Sequence, residues 1–266
     1  MERIDNFFEI NKKSWNNRVD THLDSEFYDV PGFLQGKSSL KEIELELLGD
    51  IKGKDLLHLQ CHFGQDTLSL ARLQASVTGV DLSDKAIEKA KWLSEQAQID
   101  ASFICCNLYD LPQKLDKKFD IIFTSYGTIG WLPDLDKWAG VIAGFLKPQG
   151  KLILVEFHPV VWMFDDNFKK IQYSYFNTGA IYETEEGTYA DRKASISQDY
   201  VMWNHSISDI LNSLMHHQIE IQAFNEYDYS PYNCFNETEE YEPGKFRIKP
   251  LGNKIPLVFS VVGIRK

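Results

Sequence analysis

Residues 55–78 read Asp55-Leu-Leu-His-Leu-Gln-Cys-His-Phe-Gly-Gln-Asp-Thr-Leu-Ser-Leu-Ala-Arg-Leu-Gln-Ala-Ser-Val-Thr78. The apolar run Leu56-Leu57-His58-Leu59 has the length and character of a buried parallel strand. A tight segment, Gln60 to Gly64, follows it. Leu68, Leu70, Ala71 and Leu73 then recur at helical spacing behind Asp66 and Thr67, so a helix is expected there. Val77 to Val80 is a second short strand ending at Asp81. Strand, glycine turn, helix, strand and acid make a βαβ unit, with Asp81 placed 17 residues after Gly64 to hold a ribose.

Outward from this unit the same alternation continues. Ser83 is a suitable N-cap for a helix carrying Ile87, Ala90 and Leu93. Strands are expected at 101–106, 119–124 and 151–157, and a helix at 135–146. Asn107 to Pro112 reads as a loop, and Lys147 to Gly150 as a turn. Upstream, a short helix is expected over 6–17. Phe27 to Gly32 reads as a turn or lid, and Ser38/Ser39 as the cap of a helix that stops at Gly49. Alternating strands and helices predict a mostly parallel sheet covered on both faces. Ligands of such sheets bind beyond the strands' carboxyl ends, where strand order reverses. That rule nominates Gln60 to Gly64, Asp81-Leu82, Asn107-Leu108 and Ser125 to Gly127.

After residue 157 the alternation stops. Residues 158–204 are rich in aromatics and read as an insertion covering the strand ends, with Glu183 to Glu186 as an acidic loop. A helix is expected over 206–216, and strands at 219–227 and 256–264 with a loop-like acidic stretch, 228–254, between them. The absence of a helix between the last two strands predicts an antiparallel pair at the end of the sheet.

The 266 residues suit one large α/β domain. A net charge of −11 argues against a nucleic-acid or anionic-membrane surface and favours a small-molecule substrate. The four cysteines form no C-x-x-C pair, which fits reduced thiols in a cytoplasmic protein. No stretch reads as a signal peptide, and no apolar run approaches the roughly 20 residues of a membrane span. His58 and His62 on a strand end are not spaced as a metal pair, and no metal is expected.

Four segments resemble the class I S-adenosylmethionine-dependent methyltransferases: LLHLQCHFGQDT, VTGVDLS, CNLYDLP, and FDIIFTSYG with LKPQGKLILVE. The resemblance covers roughly residues 40–157 and more loosely 205–264. It implies a Rossmann-like, seven-stranded sheet with its last strand antiparallel. It also implies S-adenosyl-L-methionine as cofactor and S-adenosyl-L-homocysteine as product. Where the family reads L-D-L-G-C-G-x-G, this chain has His58 for the acid, Gln60 for the first glycine and His62 for the second, as in a bacterial branch with an H-L-Q-C-H-F-G variant. A pyrophosphate needs three glycines and close backbone approach; a methionine tail tolerates side chains in the turn.

The expected cofactor residues are accordingly Gln60, His62, Gly64, Asp81 and Leu82 around the turn and ribose, and Asn107 and Leu108 at the adenine. Ser125 and Tyr126 are expected at the methionine end. Trp15 is expected to fold over from the N-terminal segment, with Phe27 and Tyr28 as further lid candidates. His158 and His205 are the candidate acid/base residues, because histidine titrates near neutral pH. The expected organisation is a lid segment over 1–36 and a methyltransferase domain over 37–266 that contains the 158–204 cover. The expected activity is methyl transfer to a small molecule. A nucleotide-linked oxidoreductase and a non-catalytic S-adenosylmethionine-binding protein are the alternatives.

Overall fold

The computed structural model describes residues 6–266; the first five residues of the expected lid segment lie outside the described residues. The polypeptide forms α1 (Phe7–Asp24), α2 (Val30–Leu34) and α3 (Glu42–Leu48) before the first strand. The alternating part then runs β1 (Asp55–Leu59), α4 (Gln65–Arg72), β2 (Ser76–Asp81), α5 (Asp84–Ala97), β3 (Ser102–Cys105), β4 (Phe119–Ser125), α6 (Leu135–Phe145) and β5 (Leu146–Phe157). The remainder comprises β6 (Ile181–Glu186), β7 (Ser197–Met202), α7 (Ile207–His216), β8 (Ile219–Tyr227), β9 (Thr238–Glu242), β10 (Lys245–Ile248) and β11 (Val258–Arg265).

Seven strands form one sheet in the order β3-β2-β1-β4-β5-β11-β8. β1 pairs in parallel with both β2 and β4, so the order reverses at its carboxyl end. β11 is antiparallel to β5 and to β8, as the helix-free link predicted. Apolar side chains cover both faces. Leu57, Leu59, Ile122 and Leu154 pack with Trp138 and Ile142 of α6 on one side. Leu56, Ile121, Phe123 and Ile153 pack with Ile43 and Leu48 of α3 on the other. The sheet is therefore apolar along nearly every central strand, as a doubly covered sheet must be.

Local signals act as their chemistry dictates in several places. Ser83 Oγ accepts from the Ala86 amide at the start of α5. The buried His58 Nδ1 pairs with Thr67 Oγ1 at 2.8 Å. Other local expectations are corrected. α1 runs to Asp24, well past residue 17. Lys41 occupies the N-cap of α3, while Ser38 and Ser39 bond to Leu40 and Ser69 instead. The segment 147–150 belongs to β5, where it sits at a register irregularity with Gln149 left-handed at φ 63°. Residues 108–113 form a 3-10 helix, which Asn107 caps by accepting from the Tyr109 amide.

The covering segment also differs. Glu183 to Glu186 is no loop: it lies in β6, which pairs antiparallel with β7. Residues 228–254 likewise contain the β9–β10 hairpin, turned at Pro243-Gly244. α1 packs against β7 through Asn11, whose amide both donates to Val201 O and accepts from Val201 N at 2.8 Å. The N-terminal helix and the 158–204 segment thus form one layer above the strand ends.

Candidate active site

A cavity of about 1080 Å³ lies beyond the carboxyl ends of β1, β2 and β4, under α1 and the β6–β7 hairpin. This is where the reversal of strand order places a ligand, and the volume is at the upper end of ordinary small-molecule sites. Trp15, Gln60, His62, Gly64, Asp81, Leu82, Asn107, Leu108, Ser125 and Tyr126 all line it.

The turn after β1 is its floor. Gln60, His62 and Gly64 have φ of 55°, 50° and 77°. These are the positions where the motif that this turn resembles carries glycine. The left-handed conformation is kept at all three, although a non-glycine residue in that region costs roughly 1–2 kcal/mol. Gly64 has no room for a side chain: a Cβ there would lie 2.7 Å from Phe103 Cε1 and 3.0 Å from Ala90 Cβ. Gln60 Nε2 donates to Thr128 O at 2.7 Å, which leaves its buried Oε1 without a hydrogen-bond partner. His62 Nε2 lies 2.9 Å from His22 Nδ1 of α1, and its buried Nδ1 has no partner. His58 and His62 point to different partners, Thr67 and His22, so the two rings diverge.

Asp81 ends β2 at the edge of this turn. One carboxylate oxygen accepts from the His62 amide and the other from the Ser83 amide, both at 2.8 Å. Burial pushes its pKa up to about 6, against the opposing pull of these N–H groups. His62 is held down to about 3 by burial, with Arg18 adding repulsion, so its ring is neutral.

The far wall is set by the loop after β4. Glu156, buried at the end of β5, accepts from the amides of Gly127, Thr128, Ile129 and Phe157 and from Thr128 Oγ1. One carboxylate thereby shapes the segment that receives the Gln60 amide. Tyr126, left-handed at φ 47°, donates its hydroxyl to Glu44 Oε2 at 2.9 Å. Burial, and then Asp66, raise the Glu44 pKa to about 7.

The roof is polar where a helix usually presents apolar residues. Asn11, Ser14, Arg18 and His22 of α1 are all buried. Arg18 donates to Ser14 Oγ and to Glu185 of β6, the latter at 2.7 Å, and its guanidinium lies 5.2 Å from the Trp15 ring centre. Tyr28 and Tyr189 share a 2.5 Å hydroxyl contact beside His22. Trp15 stands edge-on to His62 and to Trp131, each at 5.2 Å.

The two acid/base candidates are not brought here. His158 and His205 are absent from the cavity lining. His158 Nε2 pairs with Glu226 at 3.0 Å while its Nδ1 accepts from the Val160 amide. His205 Nε2 donates to Leu132 O at 2.8 Å, and the cap of α7 is Ser206. Both rings serve to anchor loops. Arg18, Glu156 and Tyr189 line the cavity without being among the expected site residues, and His22 reaches the lining only through His62. Two signals were present: polar residues 11, 14, 18 and 22 recur at helical spacing, and Glu156 interrupts the apolar run KLILVEF.

Residues 56–150 match the family model for a methyltransferase domain. An uncharacterized protein of Haemophilus influenzae is 29% identical over 230 residues, spanning 79% of this chain and 87% of its own. The ubiquinone biosynthesis O-methyltransferase of Coxiella burnetii is 35% identical over 113 residues, 42% of this chain and 47% of that enzyme. The match therefore spans about half of that enzyme's length. Among solved structures, geranyl diphosphate C-methyltransferase of Streptomyces coelicolor, in complex with Mg2+, geranyl diphosphate and S-adenosyl-L-homocysteine, aligns over 100% of both chains with a TM-score of 0.62 and 16% identity. An S-adenosylmethionine-dependent methyltransferase of Clostridium acetobutylicum aligns over 96% of this chain and 98% of its own, with a TM-score of 0.58 and 16% identity. These structures share the fold, and the domain match covers the strands that build the cavity floor. Residues 56–150 thus match a methyltransferase domain, and the chain has the fold of S-adenosylmethionine-dependent methyltransferases.

Proposed function

We propose that this chain transfers a methyl group from S-adenosylmethionine to a small nucleophilic acceptor held in the same cavity. The observation that carries the reading is Asp81: a half-buried carboxylate at the carboxyl end of β2, braced by two amides on the rim of the cavity. Two carboxylate oxygens suit the vicinal hydroxyls of a ribose. Beside it the turn offers side chains where a pyrophosphate would require bare backbone, which favours the methyl donor over a dinucleotide. Asn107 and Leu108 border the adenine position, and Ser125 and Tyr126 the methionine end.

The cofactor supplies an activated methyl group on a sulfonium, which a nucleophile displaces in line. The residues of this chain contribute enclosure and alignment. α1 and the β6–β7 hairpin roof the cavity, and Trp15, Tyr28, Trp131 and Tyr189 line it with rings that exclude water. Positioning of this kind supplies rate without a dedicated base when the acceptor keeps or has already lost its proton. The enclosed volume and the acidic net charge favour a small acceptor over a nucleic acid. The segments over 6–36 and 158–204 act as one cover in this reading.

Calorimetric titration with S-adenosylhomocysteine and, separately, with NAD tests the donor assignment. Binding of the homocysteine product with no NAD binding supports it. Binding of NAD alone refutes it and restores the oxidoreductase alternative. Turnover of labelled S-adenosylmethionine over a panel of small amines, phenols, thiols and carboxylates then separates an enzyme from a protein that only binds the donor.

A further inference from the structure

We infer that the hydroxyl of Tyr126, backed by the carboxylate of Glu44, takes the proton from an acceptor whose nucleophilic atom carries one. The inference rests on the methyl-transfer reading above and adds a general base to it. Tyr126 lines the cavity at the place assigned to the methionine end of the donor. Its hydroxyl donates to Glu44 Oε2 at 2.9 Å. A phenolic oxygen that donates in this way keeps its lone pairs, so it can accept from the O–H or N–H of an acceptor.

Folding does not account for the pair. Tyr126 holds a left-handed backbone, φ 47°, which a tyrosine adopts only at a cost. That conformation sets its ring 5.5 Å from Phe157 and 5.1 Å from Tyr232 and carries the hydroxyl to α3. Glu44 is fully buried and also accepts from the Lys41 amide at 3.3 Å, as the capping acid of α3. Glutamine fills that capping role and has no charge to bury. A buried acid behind a cavity wall, where a neutral residue would cap the helix as well, points to a use for its ionisation.

The surroundings set when the acid is ionised. Burial, and then the negative charge of Asp66, lift the Glu44 pKa to about 7, which suits a proton acceptor near neutral pH. The other titratable groups facing it are Tyr126 and Tyr232, both held protonated by burial, and Lys41 lies 4.7 Å from the Tyr232 ring centre. Asp66, Tyr232 and Lys41 line the cavity, so the Tyr126–Glu44 contact lies directly behind its wall. In the transfer step the lone pair of a neutral acceptor forms the bond to the methyl carbon, and the carbon–sulfur bond breaks with its electron pair left on sulfur. The acceptor's proton passes to the Tyr126 oxygen as the tyrosine's own proton passes to Glu44. The sulfonium and carboxylate charges vanish together, leaving a thioether, a protonated Glu44 and the methylated acceptor.

One arm of the test needs no acceptor. A positive sulfonium near Glu44 favours the ionised acid, so S-adenosylmethionine should gain affinity relative to S-adenosylhomocysteine as pH rises through 7. Calorimetry at pH 6 and pH 8 is expected to show that ratio rising about three- to tenfold in the unmutated chain and less than half as steeply in Glu44→Gln, with thermal melts to verify folding. A ratio that does not change with pH, or equal slopes in the two proteins, overturns the inference and leaves the donor assignment standing. Failure of the unmutated chain to bind either ligand removes the donor assignment and this inference together. The second arm follows labelled methyl transfer to catechol, phenol and aniline, which stay protic and uncharged over this pH range. With any that turns over, kcat should climb with pH to a plateau, its midpoint at or below about 7. Tyr126→Phe and Glu44→Gln should each lower the plateau roughly a hundredfold and flatten the profile, with KM within about threefold. Unchanged kcat in either variant overturns the inference; where none of the three turns over, the binding arm decides alone.

Discussion

Asp81→Asn removes the charge from the residue on which the proposed donor site turns, with almost no change in shape. In the native protein the carboxylate accepts from His62 N and Ser83 N at 2.8 Å, and burial raises its pKa to about 6. In the proposed reading ribose hydroxyls donate to the ionised form, so ligand binding favours loss of the proton. The sign follows from linkage: affinity is full where Asp81 is already ionised and falls as pH drops through about 6. At pH 5 about a tenth of the empty sites carry the charge, so S-adenosylhomocysteine should bind about tenfold more weakly than at pH 7.5. The amide of the Asp81→Asn variant keeps one acceptor, sets its NH2 group against one of the two backbone N–H donors, and loses the charge assistance of two hydrogen bonds, about 2–3 kcal/mol, or roughly 30- to 150-fold in affinity at pH 7.5. The variant's affinity should also lack the pH dependence due to this group. Isothermal titration at pH 5, 6 and 7.5, with thermal melts to verify folding, measures all of this. Affinity in Asp81→Asn equal to that of the unmutated protein at pH 7.5, or identical pH slopes in the two, would refute the ribose assignment.

Glu44 is fully buried with its pKa raised to about 7 from an ordinary 4.5, so its ionisation opposes folding as pH rises through that interval; Glu44→Gln should raise the melting temperature by a few degrees at pH 8 and have little effect at pH 5. Gly64→Ala places a Cβ 2.7 Å from Phe103 Cε1 at a φ of 77°, and should cost about 2–4 kcal/mol in urea denaturation. His158→Gln lies outside the cavity lining and should leave S-adenosylhomocysteine affinity within about twofold by calorimetry, since it removes no ligand contact.

The core of the fold was legible because its chemistry is local. β1 is a short apolar run, Ser83 caps the helix it precedes, and Asp81 ends a strand at the distance a βαβ unit sets. The layer above the site was not legible, because its inward faces are polar. β6 points Glu183 and Glu185 inward, where Tyr200 and Arg18 meet them, so its alternation has the wrong sign for an amphipathic strand and reads as an acidic loop. α1 buries Asn11, Ser14, Arg18 and His22, and a buried polar stripe looks like a solvated face until its partners are known. His158 and His205 are acid/base candidates by residue type and by their places at a strand end and a helix start. Their positions depend on Glu226 and Leu132, both far away along the chain, and local pattern carries no such information. His22 reaches His62 across 40 residues for the same reason.

A crystal structure of the chain with S-adenosylhomocysteine tests the central claim most directly. Both ribose hydroxyls are expected within hydrogen-bond reach of the Asp81 carboxylate, the adenine beside Asn107 and Leu108, and the thioether directed toward the cavity space under Trp15 and Tyr28. A ligand bound elsewhere, or one in this cavity with its ribose away from Asp81, would contradict it.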